Sequence, residues 1–217
     1  MKKSLTLLFL LFFNVIISQQ DTTDLKEVVV STTKLEIPFS KNFRTIKIIS
    51  SNEIQQIPAN NVSDLLQQVT GIDVRRRGAG GVQGDLYIRG GGFDQTLLLV
   101  DGMKMDDVQT GHHTLNMILP LYLIERIEII KGPAARIFGQ NAFNGAINIV
   151  TKDFVAQKGA VEMNLNELAY GSFEQKNISL STKITGENIK SLISYSGNRS
   201  DGYRHNTDYK RNNYFIK

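Results

Sequence analysis

The sequence predicts an α+β domain, a mixed sheet with short helices, followed by antiparallel strands of an incomplete transmembrane β-barrel. Three observations predict it. An export signal opens the chain, helical and strand patterns alternate from residue 45 to residue 152, and only period-two alternation remains beyond Lys152.

The signal reads from Lys2 and Lys3, which precede an uncharged apolar run from Leu5 to Ile17 that ends at Ser18, Gln19 and Gln20. A membrane-spanning helix needs about 20 apolar residues, and Asn14 already interrupts this shorter run. Residues 1–18 are therefore assigned to a signal peptide, leaving about 200 residues, enough for one or two domains with a real core. The sequence holds no cysteine, so an exported fold must rest on burial and hydrogen bonding rather than disulfides, and thiolate metal sites are excluded. Two of the four net positive charges lie in the signal. The only basic cluster, Arg75 to Arg77, lacks the interleaved aromatics of a nucleic-acid surface, so no nucleic-acid partner is expected.

Residues 19–44 form a polar leader. Within it Glu27, Val28, Val29 and Val30 favour an extended conformation through β-branching, flanked by Thr22, Thr23, Thr32, Thr33 and Pro38 with no helix to dock on. Such a peptide can add itself to the sheet edge of a partner; an ordinary first strand of the domain is the alternative.

From Thr45 the chain becomes compact. Ile46 and Ile48 share one strand face, and Ser50 with Glu53 has capping-box spacing for a short helix ending near Pro58. Asn61 can cap a second helix whose Val62, Leu65, Leu66 and Val69 fall at i, i+3, i+4 and i+7, closed by Gly71. Ile72 and Val74 begin a strand. Arg75 to Gly84 carries four glycines and reads as a long exposed loop. A dinucleotide fingerprint would open a helix here, whereas Asp85 to Arg89 continue as an alternating strand.

Gly90 to Gly92 turn into Leu97 to Val100, an unbroken apolar run suited to a strand buried on both faces. Asp101 and Gly102 make the next turn. Met103 to Asn116 is a second long polar loop, Ile118 to Leu123 an apolar segment and Arg126 to Ile130 a strand broken by Gly132 and Pro133. A helical turn is expected over Ala134 to Phe138, a loop from Gly139 to Gly145, and a last strand over Ala146 to Val150.

Past Lys152 come Val161, Met163 and Leu165, then Ile178, Leu180, Thr182 and Ile184, then Ile189, Ser191, Ile193 and Tyr195. These are strands with an apolar stripe on one face. Short separators at Gly171 and Ser172 and at Thr185 to Asn188 alternate with a longer polar one, Gly197 to Lys210, before Tyr214 and Ile216. Outer-membrane barrels alternate turns and loops in this way. A soluble sandwich fits the alternation alone, but open-edged strands cannot lie in lipid, so the membrane reading expects further sequence beyond Lys217 and treats the chain as a fragment.

Several stretches together resemble the plug of TonB-dependent outer-membrane receptors: LKEVVVS over Leu25 to Ser31, DLLQQVTGIDV over Asp64 to Val74, IRG from Ile88, VDG from Val100, and IERIEIIKGPAARIFGQNAFNGAINIVTK over Ile124 to Lys152. The later strands, with SDGYR over Ser200 to Arg204, resemble the family's first barrel strands. The resemblance implies a plug over residues 45–152 seated inside a barrel whose first strands span 153–217. It places residues 24–31, with Leu25, Glu27, Val28, Val29 and Val30, where the family's coupling peptide pairs with TonB, which relays energy from inner-membrane proteins. It implies import of a scarce ligand such as siderophore-bound iron or cobalamin, with no cofactor and no catalytic residues. By the same resemblance the two long loops face outward, making Arg77, Gln83, Asp106, Gln109, His112 and His113 ligand-contact candidates, and Arg89, Arg126 and Glu128 candidates for anchoring the plug to the barrel wall; the alternative for the last three is the solvent face of alternating strands. DDVQTGHHTLN over Asp106 to Asn116 resembles plugs of cobalamin-receptor type, while siderophore receptors share nearly all the other motifs.

Adjacent histidines do not easily chelate one ion, so His112 and His113 are read as ligand-contacting surface, with no metal site expected. A hydrolase built on them with Asp106 lacks any accompanying nucleophile motif. A soluble periplasmic module that never enters a barrel is the remaining alternative.

Overall fold

The computed structural model describes residues 29–30, 37–38, 46–78, 80, 83–105, 107, 109–116, 119–133, 138–153 and 159–217. In the leader, β1 (Val29–Val30) pairs antiparallel with β2 (Ile37–Pro38), Val29 opposite Pro38. Residues 1–28, which hold the signal segment, Leu25, Glu27 and Val28, lie outside the described residues, as do Asp106 and residues 134–137 of the expected turn.

The first domain is built on a five-stranded mixed sheet in the order β3-β8-β9-β6-β7. Its members are β3 (Ile46–Ser50), β6 (Thr96–Val100), β7 (Met103–Lys104), β8 (Ile124–Lys131) and β9 (Gly145–Thr151). Only β6 and β9 run parallel. Alternate residues of β6 enter two cores: Leu98 and Val100 join the larger one with Ile127, Ile147 and Ile149, while Leu97 and Leu99 join a smaller one with Ile46, Ile130 and Ala146. That two-sided burial is why TLLLV is apolar throughout. Gly145 makes the approach of β9 to β8 possible, because a Cβ there would lie 2.3 Å from the carbonyl oxygen of Ile130.

Helix α1 (Ser51–Gln56) starts at the expected capping box: Ser50 N donates to Glu53 Oε2 at 2.7 Å and Glu53 N donates back to Ser50 Oγ. Helix α2 (Val62–Gln67) is capped by Asn61, whose Oδ1 accepts from Asp64 N at 2.9 Å. Leu65 and Leu66 of α2 are fully buried in the larger core, each worth about 1.5–3 kcal/mol in transfer free energy. The hairpin of β4 (Ile72–Arg76) and β5 (Gly84–Ile88) packs Val74, Leu86 and Ile88 into the same core. The first loop is therefore shorter than the sequence implies, because Arg75, Arg76 and Gly84 lie in strands. Asp101 and Gly102, at φ 48° and 79°, turn β6 into β7.

The remaining strands form one antiparallel sheet, β10 (Val161–Gly171), β11 (Gln175–Thr185), β12 (Lys190–Ser200) and β13 (Tyr209–Ile216), which does not close on itself among the described residues. Its burial is inverted. Asn177, Ser179 and Ser181 of β11 and Ser194 and Ser196 of β12 are buried, whereas Ile178, Leu180, Ile184 and Ile193 are exposed. Leu192 and Phe215 are exceptions that reach the first domain's larger core. β12 runs on to Ser200, so the last separator is residues 201–208 rather than Gly197 to Lys210. A bulge after Leu165 shifts β10 by one residue, which keeps Leu168 and Tyr170 on the face of Val161, Met163 and Leu165.

Candidate functional site

The two long loops meet at one carboxylate. Asp85, on the first residues of β5, is almost wholly buried; its Oδ1 lies 2.7 Å from His112 Nδ1 and its Oδ2 lies 3.6 Å from the Arg77 guanidinium. Arg77 belongs to the first loop, which closes on itself where Arg77 N donates to the Gln83 carbonyl at 2.9 Å. His112 belongs to the second, and its ring stacks on Phe93 with centroids 4.2 Å apart. Phe93 in turn meets Tyr87 edge-on at 6.4 Å, and the Arg75 guanidinium lies 4.5 Å above the Tyr87 ring. A row of rings with the Arg75 guanidinium at one end thus runs from the β4–β5 hairpin to the second loop.

The second loop is organised from within. Asp107 accepts from the hydroxyl of Thr110 at 2.6 Å and from the backbone N–H groups of Gln109, Thr110 and His113. The Thr110 hydroxyl, followed by those backbone donors, holds the Asp107 carboxyl down at about 2. Asn116 Nδ2 lies 2.8 Å from His113 Nδ1. Phe93, Asp107, Gln109, Thr110 and Thr114 line a cavity of about 420 Å³. The structure thus brings Arg77 and His112 together, sets Gln83 in the first loop's closure and Gln109 at a cavity wall, and turns His113 away toward Asn116. Asp85 escaped the sequence reading because a charge in an alternating strand looks like a solvent-facing residue.

Of the three anchoring candidates, Glu128 is 0% exposed and cannot be the solvent face. Its carboxylate accepts from Arg126 Nε at 2.8 Å and from Asn148 Nδ2 at 3.2 Å, and Asn148 Oδ1 accepts from Gly102 N at 3.0 Å. Arg89 is an exposed turn residue at φ 50°. Contacts to the four-stranded sheet also come from residues the sequence did not single out. Tyr122 Oη and Ser194 Oγ are 2.6 Å apart, and Lys217 Nζ lies 2.7 Å from Thr151 Oγ1 and 3.2 Å from Asp101 Oδ2. Asp101 also accepts from Thr151 N at 2.7 Å. Gly80, at φ 67°, lies against the Tyr209 ring, where a Cβ would come within 2.3 Å of a ring carbon.

Residues 38–146 match the model of the TonB-dependent Receptor Plug Domain. The chain belongs to this family. Over 155 residues it is 35% identical to the vitamin B12 transporter BtuB of Vibrio vulnificus (strain CMCP6), covering 71% of this chain and 25% of that protein. Over 190 residues it is 31% identical to BtuB of Vibrio cholerae serotype O1 (strain ATCC 39541 / Classical Ogawa 395 / O395), covering 82% and 31%. The chain thus spans about a quarter to a third of the length of these curated relatives. Among solved structures, the pyoverdine outer membrane receptor FpvA from Pseudomonas aeruginosa PAO1 superimposes with a TM-score of 0.68 at 17% identity, covering 90% of this chain and 28% of that one. The ferric-catecholate import receptor Fiu from E. coli K12 gives 0.62 at 21% identity, covering 85% and 26%. At those identities the likeness establishes the fold: a plug domain followed by antiparallel strands.

Proposed function

We propose that this plug and its strands belong to an outer-membrane receptor that imports a scarce ligand, cobalamin or a metal chelate, into the periplasm with energy relayed by TonB, and that the product of this sequence is exported by its signal peptide. The carrying observation is the inverted burial of β11 and β12. A sheet that hides Ser179, Ser181, Ser194 and Ser196 against the plug and presents Ile178, Leu180 and Ile193 outward is built for lipid on one side and a polar lumen on the other. In a soluble module the same apolar stripe would face water.

Under this reading residues 24–31 are the peptide that pairs with TonB, through Leu25, Glu27, Val28, Val29 and Val30. The loops carrying Arg77, Gln83, Asp106, Gln109, His112 and His113 form the ligand face. Arg89, Arg126 and Glu128 are the candidates for anchoring the plug to the barrel wall, Glu128 being bonded as well to Arg126 and Asn148. The BtuB relatives favour cobalamin over an iron chelate.

The coupling half of the proposal is tested by Val29→Pro, which removes a backbone donor and fixes φ in the segment that must pair. Energised uptake should be lost with ligand binding intact; unchanged uptake defeats the assignment of this peptide. For the ligand, a deletion strain should fail to grow on limiting vitamin B12 while still growing on limiting chelated iron, and the opposite pattern replaces cobalamin by a siderophore. Replacing residues 103–116 should weaken ligand binding, and unaltered affinity removes this loop from the ligand face.

A further inference from the structure

His112 and His113 are neighbours in sequence but face different partners, Asp85 and Asn116. A carboxylate only accepts, so the 2.7 Å contact from Asp85 Oδ1 places a proton on His112 Nδ1 and makes Nε2 the nitrogen through which this ring would ligate. Asn116 Nδ2 lies 2.8 Å from His113 Nδ1 and occupies that nitrogen. The His112 ring is fixed in plane by Phe93 at 4.2 Å and in tilt by Asp85, yet 31% of its side chain is exposed.

An imidazole whose Nδ1–H is tied to a carboxylate is the arrangement that orients metal-binding histidines and raises their basicity. No group of three or more ligating side chains occurs among the described residues. A single imidazole instead suits a metal that arrives with most of its coordination sphere already filled, and nitrogen donors of this kind suit the first-row transition metals.

We infer that His112 Nε2 is a one-point ligand for a transition metal carried in a chelate with an exchangeable coordination position, with Asp85 as the positioning residue that sets the tautomer. The inference rests on the reading of this loop as ligand face and names the chemistry by which that face selects its cargo.

The test uses the intact, tag-free receptor in detergent with Cu(II) iminodiacetate as the probe, read by pulsed electron paramagnetic resonance for the remote nitrogen of a bound imidazole. One imidazole should be detected. The signal should vanish in both His112→Ala and His112→Gln, the second keeping a polar side chain of similar reach so that loss is not a folding effect. It should persist in His113→Ala and His205→Ala, and Asp85→Asn should weaken the probe's affinity by roughly ten-fold to a hundred-fold. A signal that survives both His112 variants, or that follows His113 instead, overturns the assignment, and an affinity untouched by Asp85→Asn overturns the positioning role. Because the probe is measured without cargo, a silent spectrum defeats this inference while leaving the loop-replacement result standing. Unaltered cargo affinity after loop replacement defeats the ligand face even where the spectrum is present.

Discussion

Strands β6, five residues long, and β11, eleven residues long, are opposite in what they hide. β6 is TLLLV, buried on both faces between two apolar cores; β11 alternates, and it is the serines and Asn177 that are buried while Ile178, Leu180 and Ile184 look outward. Period-two alternation says that a strand has two unlike faces. It does not say which of them meets solvent. That is decided by what lies on each side: helices and a second core for β6, the polar flank of the plug for β11.

The largest test of the contrast is in the plug. Leu98→Ala should cost about 2–5 kcal/mol, since this side chain is buried in the larger core and its neighbours across β9 are held by ladder bonds that resist collapse. The loss should appear as earlier protease cleavage of the plug in assembled receptor, with the strands of the barrel wall unaffected. Equal cleavage of wild type and variant would mean the plug draws its stability from the wall instead.

A smaller effect is expected on the outer face. Leu180 is already 42% exposed, so a soluble sheet would accept Leu180→Arg at little expense. In lipid the same change should cost about 2–4 kcal/mol near the midplane and less toward either interface. Reduced assembly into the outer membrane, with unchanged ligand binding by whatever assembles, supports the inverted sheet. Normal assembly would return these strands to a water-facing fold.

Local chemistry was legible in the sequence and long-range chemistry was not. Ser50 with Glu53 and Asn61 with Asp64 announce their helices because a cap and its partner sit three residues apart. The second half of β10 was harder to read, since the bulge moves the apolar phase from odd to even positions between Leu165 and Leu168. The end of β12 looked like loop for a related reason: Ser196, Gly197 and Asn198 lack the apolar mark of a strand because their buried neighbours are polar. Asp85 and His112 are 27 residues apart in sequence, and nothing in either local pattern shows that they touch. Tyr122 with Ser194 and Asp101 with Lys217 are of the same kind. These contacts tie plug to wall, and each joins segments that periodicity treats separately.

The smallest expected effect asks whether a plug loop keeps its own shape without help from the wall. Asp107 holds residues 109–113 through the Thr110 hydroxyl and the N–H groups of Gln109, Thr110 and His113, which lower its folded-state value from 3.8 to about 2. A carboxyl depressed on folding contributes its full stabilisation above the unfolded value and loses it as pH falls through the folded one. The loop should therefore be as ordered at pH 5 as at pH 7, loosen between about pH 4 and pH 2, and do so while β10 to β13 stay intact. Hydrogen exchange at Gln109, Thr110 and His113, corrected for the intrinsic pH dependence of exchange, reads this directly. Asp107→Asn should show the loosened loop already at pH 7 with no further change on acidification, because the amide lacks the second acceptor oxygen that Thr110 and His113 use. Protection in the variant that still falls with acid would place the titrating group elsewhere. Simultaneous loss of the wall strands would show that the loop leans on the wall after all, which would erase the difference in support that separates the two regions.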